Sequence, residues 1–125
     1  MNQTIHTDNA PAAIGPYCQA TVHNGFLFTS GQIPLDPADG SIVGTTIEEQ
    51  AHRVCQNLSA VLTAAGSDLS KVLKTTCFLA DMNDFAAFNS VYAQYFTGKP
   101  ARSCVAVKTL PKNVLVEVEC IAVVE

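Results

Sequence analysis

This 125-residue chain has no tryptophan, only seven lysines and arginines together, and no apolar run approaching the roughly 20 residues of a membrane span. The basic residues are spread from Arg53 to Lys112 without a cluster, and the net charge is −4. Phosphate recognition needs concentrated positive charge, so nucleic acid is not an expected partner. The five cysteines, at 18, 55, 77, 104 and 120, are odd in number and form no Cys-x-x-Cys pair, which reads as reduced core thiols. The three histidines, at 6, 23 and 52, share no ligand spacing with cysteine or carboxylate, so no metal site is expected. Residues 1–8 carry neither the basic flank nor the apolar stretch of a secretory signal, and an intracellular, cytoplasmic location is expected.

What the chain does have is apolar substance. Hydrophobic residues make up 48% and charged residues 14%, which opposes disorder. No repeat or linker divides the sequence, and residues 1–125 are expected to form one domain burying roughly two-thirds of its unfolded surface. Asn24-Gly25 between the apolar runs Cys18–Val22 and Phe26–Thr29 predicts a hairpin. Thr46 with Glu49 three residues later is a capping box, and Ile47, Ala51, Val54, Cys55, Leu58, Val61, Leu62 and Ala65 follow at helical spacing up to the stop at Gly66. Residues 71–79 read as a strand. Asp84 is expected to cap a second helix with the inner stripe Phe85, Phe88, Tyr92, Tyr95 and Phe96, ended by Gly98 and Pro100. A short edge strand near Ile5 completes an α+β pattern, a mixed sheet with two helices on one face.

Two further strands carry charge on faces that should be dry. In Pro100-Ala101-Arg102-Ser103-Cys104-Val105-Ala106, alternation puts Arg102, Cys104 and Ala106 on one side. In the closing run Val116, Val118, Cys120, Ala122 and Val124 fill one face, while Glu117 and Glu119 share the other with Leu115, Ile121 and Val123. Buried charge needs a partner, so the plainest reading is an ion pair of Arg102 with Glu117 or Glu119. Two helices cover one sheet face only. The second apolar face is expected to meet another copy of the chain, with the Glu117 and Glu119 side at that boundary. Asn89 places an amide on the inner stripe of the second helix, and Tyr17 and Ser30-Gly31-Gln32 set polar groups near strand ends. Cys104 beside an arginine reads either as a thiol of depressed pKa or as a small strand filler, the commoner case.

Gly15-Pro16-Tyr17, Thr29-Ser30-Gly31-Gln32-Ile33-Pro34, Asn83-Asp84-Phe85 with Asn89, Pro100-Ala101-Arg102-Ser103-Cys104-Val105 and Val116-Glu117-Val118-Glu119 together resemble the reactive intermediate deaminase family. These are the RidA-like or YjgF proteins, called in older naming L-PSP endoribonucleases and translation inhibitors. The resemblance covers nearly the whole chain. It implies a chorismate-mutase-like fold assembled as a homotrimer with clefts between subunits. It implies hydrolytic deamination of 2-aminoacrylate and 2-iminobutanoate to 2-oxo acids and ammonia, without metal or cofactor. In that reading Arg102 clamps the substrate carboxylate, Glu117 positions or activates water, and backbone N–H groups at Gly31 and Cys104 orient the ligand. Tyr17, Ser30 and Asn89 line the cleft. An endoribonuclease or translation inhibitor and a non-catalytic 2-oxo-acid-binding trimer are the alternatives. The chain departs from the family in residues 95–100, a link a few residues shorter than usual, so a trimmed loop near the cleft mouth is expected.

Overall fold

A computed structural model describes residues 2–125. The chain runs β1 (Gln3–Ile5), β2 (Ala20–His23), β3 (Phe26–Thr29), α1 (Ile47–Ala64), β4 (Val72–Leu79), α2 (Phe85–Tyr95), β5 (Ala101–Ala106) and β6 (Val116–Val123). The six strands form one mixed sheet in the order β1-β2-β3-β6-β4-β5. Only the β4–β5 pair is parallel, as the intervening α2 crossover requires. The β2–β3 hairpin closes through Asn24 and Gly25 at φ 51° and 79°, a two-residue turn whose left-handed backbone suits this pair of residues.

Helix α1 starts as its capping box dictates. Glu49 N donates to Thr46 Oγ1 at 3.2 Å, and Glu49 Oε1 accepts from Thr46 N at 3.2 Å. Its apolar stripe lies against Val116, Val118 and Ala122 of β6 and Leu27 of β3 in one core, and α2 adds Phe88 and Tyr92 to the same side. Truncating a fully buried leucine such as Leu58 to alanine is worth about 2–5 kcal/mol there. The entry to α2 differs from expectation, because Asp84 makes no side-chain cap. The chain arrives through a short 3-10 turn over Met82–Asp84, and Asp81 caps that turn by accepting from Asn83 N at 2.8 Å. Asp84 N is already bonded to Asp81 O at 3.0 Å, so Asp84 belongs to the turn and does not precede it.

The helices cover one face of the sheet, and the other is bare. Phe26, Phe28 and Val105 are exposed there, beside half-buried Ile121 and Phe78. Among the described residues no helix is long and apolar enough to cross a membrane.

Candidate functional site

The register of β4 decides where the two charged strands point. Parallel pairing sets Arg102 beside Thr75 and Cys104 beside Cys77. Thr75 and Cys77 are fully buried beneath the helices, so Arg102 and Cys104 project to the helix side. On the other edge of β4, Glu117 lies beside Phe78 and Glu119 beside Thr76. Thr75 and Phe78 are an odd number of residues apart and point to opposite faces. Within one chain Arg102 and the two glutamates are therefore separated by the sheet, which overturns the ion pair suggested by alternation. Sequence alone could not show that β4 would stand between β5 and β6.

Two partial sites result. In the first, Arg102 Nη1 donates to Asn89 Oδ1 at 2.8 Å. The guanidinium carbon stands 4.8 Å from the ring centroid of Tyr92 and 5.4 Å from that of Phe85, within cation–π range. No carboxylate pairs with Arg102 among the described residues, whose single ion pair is the exposed His6–Asp8 contact. Cys104 keeps its proton: burial pushes the thiol up, and the nearby Arg102 charge only partly offsets this. A thiolate nucleophile is not set up at that position.

The second partial site is a cleft of about 380 Å³ lined by Tyr17, Ser30, Gly31, Ile33, Lys112 and Glu117, among others. Burial raises the Glu117 carboxyl above the ordinary carboxylate range, and the charge of Glu119 on the same strand face raises it further. Gly31 makes room for this carboxylate. A Cβ built on Gly31 would fall 2.0 Å from Glu117 Oε2 and 2.8 Å from its Cδ. Ser30 is held by its hydroxyl, which donates to Cys18 O at 2.6 Å, and by its N–H, which donates to Gln19 O at 2.9 Å. Gln32 continues the wall by exchanging two backbone bonds with Val118.

Three residues that pattern did not single out build this cleft. Gln19 is 3% exposed; its Oε1 accepts from Thr7 N at 2.7 Å, and its Nε2 donates to the carbonyls of Thr7, Ala10 and Pro11. It thereby ties down the segment whose Pro11 and Ala12 line the cleft. Asn57, fully buried on α1, donates from Nδ2 to Ile33 O at 3.1 Å and Leu35 O at 3.0 Å, fixing the opposite wall. Lys112 reaches the cleft from the middle of the 3-10 turn Pro111–Asn113, where its backbone has φ 55°. The Leu-Pro-Lys-Asn turn just before β6 was the available signal for that lysine.

The expected site residues thus fall into two groups on one chain. Arg102, Asn89 and Cys104 lie at the β5 edge under α2, and Tyr17, Ser30, Gly31 and Glu117 surround the cleft. The Endoribonuclease L-PSP family model matches residues 7–124. The chain belongs to this family. It is 57% identical to a RutC family protein of Synechocystis, over 95% of this chain and 94% of that one. It is 47% identical to the 2-iminobutanoate/2-iminopropanoate deaminase of Salmonella typhimurium, over 98% of both chains. Its fold superposes with a TM-score of 0.93 on Escherichia coli TdcF with bound serine, at 43% identity over 98% of this chain and 99% of that one.

Proposed function

We propose that this L-PSP family chain is a cytoplasmic enamine/imine deaminase. It would hydrolyse 2-iminobutanoate and 2-aminoacrylate to 2-oxo acids and ammonia in clefts between the subunits of a homotrimer. The observation that carries this reading is the state of Arg102: a half-buried guanidinium flanked by two aromatic rings and bonded, among the described residues, only to a neutral amide. A fixed cation without an anion is a receptor for one, and a guanidinium takes a carboxylate through two parallel hydrogen bonds. The deaminase relative acts on small imino acids, and the serine-bound relative holds a small amino acid, ligands that each carry such a carboxylate.

Glu117 supplies the second component. A carboxyl whose pKa is raised by burial is a better base than an ordinary glutamate and sits closer to working pH. With the carboxylate of the imine on Arg102, water adds through oxygen to the imine carbon as Glu117 accepts a water proton. Glu117 returns that proton to the nitrogen, the hydroxyl of the resulting carbinolamine gives up the second proton to the nitrogen as the carbon–nitrogen bond breaks, and ammonia leaves as the carbon–oxygen double bond of the 2-oxo acid forms. Positioning and one proton transfer, each worth about 10²-fold or more, suffice for a reaction that already proceeds slowly in water.

Incompleteness of the site in one chain supports assembly with further copies. Arg102 and Glu117 cannot meet across their own sheet, and the bare face with Phe26, Phe28 and Val105 gives a second copy an apolar surface to cover. A neighbour's β5 edge would then bring its Arg102 to this chain's cleft. The test is release of 2-oxobutanoate when purified protein is added to a threonine dehydratase reaction. Acceleration that disappears with Arg102→Ala is expected. No acceleration at concentrations where the imine hydrolyses slowly by itself would leave only a binding role. Cleavage of RNA by the wild type and by Arg102→Ala alike would favour the endoribonuclease reading.

A further inference from the structure

The surroundings of Arg102 assign a task to the buried residue packed beneath it. Tyr92 on α2 has its ring 4.8 Å beneath the guanidinium carbon, and the ring is itself held from two directions. Phe96 stacks on it with centroids 4.4 Å apart, and the Tyr92 hydroxyl shares a 2.7 Å hydrogen bond with Thr75 Oγ1. Thr75 is completely buried on β4, directly beside Arg102 in the parallel register. A valine and phenylalanine of the same shape would fill this volume without burying two hydroxyls. What the hydroxyl pair adds is a fixed ring plane, tied to the strand that also sets the root of Arg102.

Asn89, one turn before Tyr92 on the same helix, takes one of the five guanidinium N–H groups. Ring and amide together restrict the long arginine side chain to one orientation and leave the rest of its donor fork free. A lone arginine has many rotamers, and ordering it on binding would weaken a carboxylate contact. We propose that Tyr92, anchored by Thr75, is the positioning residue that preorganises Arg102 as a carboxylate receptor. This rests on the reading that Arg102 receives the substrate carboxylate.

The test compares wild type with Tyr92→Leu, Tyr92→Phe, Phe85→Leu and Arg102→Lys in two assays: hydrolysis of 2-iminobutanoate generated by a threonine dehydratase, and calorimetric binding of 2-oxobutanoate. Loss of the ring face is expected to raise KM and Kd for Tyr92→Leu by between about 2- and 30-fold, the span of cation–π contacts, with the change falling chiefly on KM. Tyr92→Phe keeps the ring and its stack on Phe96 but loses the tie to Thr75, so both constants should fall between those of wild type and Tyr92→Leu. Guanidinium NMR adds a readout that simple packing would not move. The Arg102 N–H signals should be resolved in wild type and averaged by free rotation in Tyr92→Leu.

If Tyr92→Leu does not fold, Tyr92→Phe carries the test through the lost tie to Thr75, with an expected rise in KM of about two- to fivefold. Phe85→Leu removes the second ring at 5.4 Å and should raise KM by a similar amount. Unchanged KM and Kd in a folded Tyr92→Leu, or in Tyr92→Phe where only that variant folds, overturn the inference. Arg102→Lys separates the two levels. If it loses 2-oxobutanoate binding while Tyr92→Leu does not, the positioning role alone is wrong. If Arg102→Lys binds as wild type does, the receptor reading falls and the inference with it.

Discussion

Replacing Gly31 with alanine perturbs Glu117 without touching its chemistry. The new Cβ would lie 2.0 Å from Glu117 Oε2, 2.8 Å from Cδ and 3.1 Å from Cγ, whereas ordinary contacts begin near 3.4 Å. The carboxylate must retreat by more than about 1 Å, and a misplacement of that size is enough to cost about 10²-fold in rate. Folding should hardly notice. The backbone of Gly31 is outside the left-handed region, and the displaced atoms are the free end of a flexible side chain, so stability should change by no more than about 1 kcal/mol. The assay is imine hydrolysis coupled to a threonine dehydratase, with urea unfolding alongside. A double-variant cycle isolates the cause: in a Glu117→Ala background, Gly31→Ala should add almost nothing, because the group it displaces is gone. Full activity of Gly31→Ala would refute the reasoning. So would an equal, additive loss in the Glu117→Ala background, which would move the effect from the carboxylate to the backbone.

Arg102→Lys should lower kcat/KM by about 10²-fold or more even though charge is conserved, because an ammonium cannot form the paired donor fork; steady-state kinetics check this. The acid limb of the pH–rate profile should have its midpoint above the ordinary glutamate value of about 4.3, since burial and then Glu119 raise Glu117. Activity requires the ionised base, so it rises as pH passes that midpoint. Glu119→Gln removes a neighbouring negative charge, favours ionisation and should move the midpoint down part of the way, leaving the larger effect of burial in place. Asn57→Ala deletes both donors to the Ile33 and Leu35 carbonyls at a site with no exposure, and should destabilise by about 2–4 kcal/mol in urea unfolding.

Local signals in the sequence were readable because their partners are close in the chain. Asn24-Gly25 turns the hairpin, Thr46 and Glu49 close the capping box, and the alternation of β6 separates Val116, Val118, Cys120 and Ala122 from the glutamates. Arg102 was correctly placed beside Cys104 on one strand face. Its relation to Glu117 was not readable, because that depends on β4 lying between β5 and β6 and on the parity of Thr75 and Phe78. Asp84 failed as a side-chain cap for a similar reason: a 3-10 turn capped by Asp81 precedes α2, and the local sequence does not announce it. Gln19 and Asn57 are polar residues that no local pattern singled out. Their partners are carbonyls of distant loops, so their task becomes visible only when those loops are in place. Gly31 offered a glycine but not its reason, which is a carboxylate on the last strand.

Because Arg102 and Glu117 face away from each other in one chain, the proposed site requires two copies. The most direct measurement is complementation: Arg102→Ala and Glu117→Gln chains are each purified and assayed, then unfolded together, refolded as mixed oligomers and assayed again for 2-iminobutanoate hydrolysis. Composite sites predict two inactive parents and a mixture that recovers about a quarter of wild-type activity, the random fraction of clefts receiving both intact halves. A mixture that demonstrably exchanges subunits yet stays as inactive as its parents would contradict the composite site.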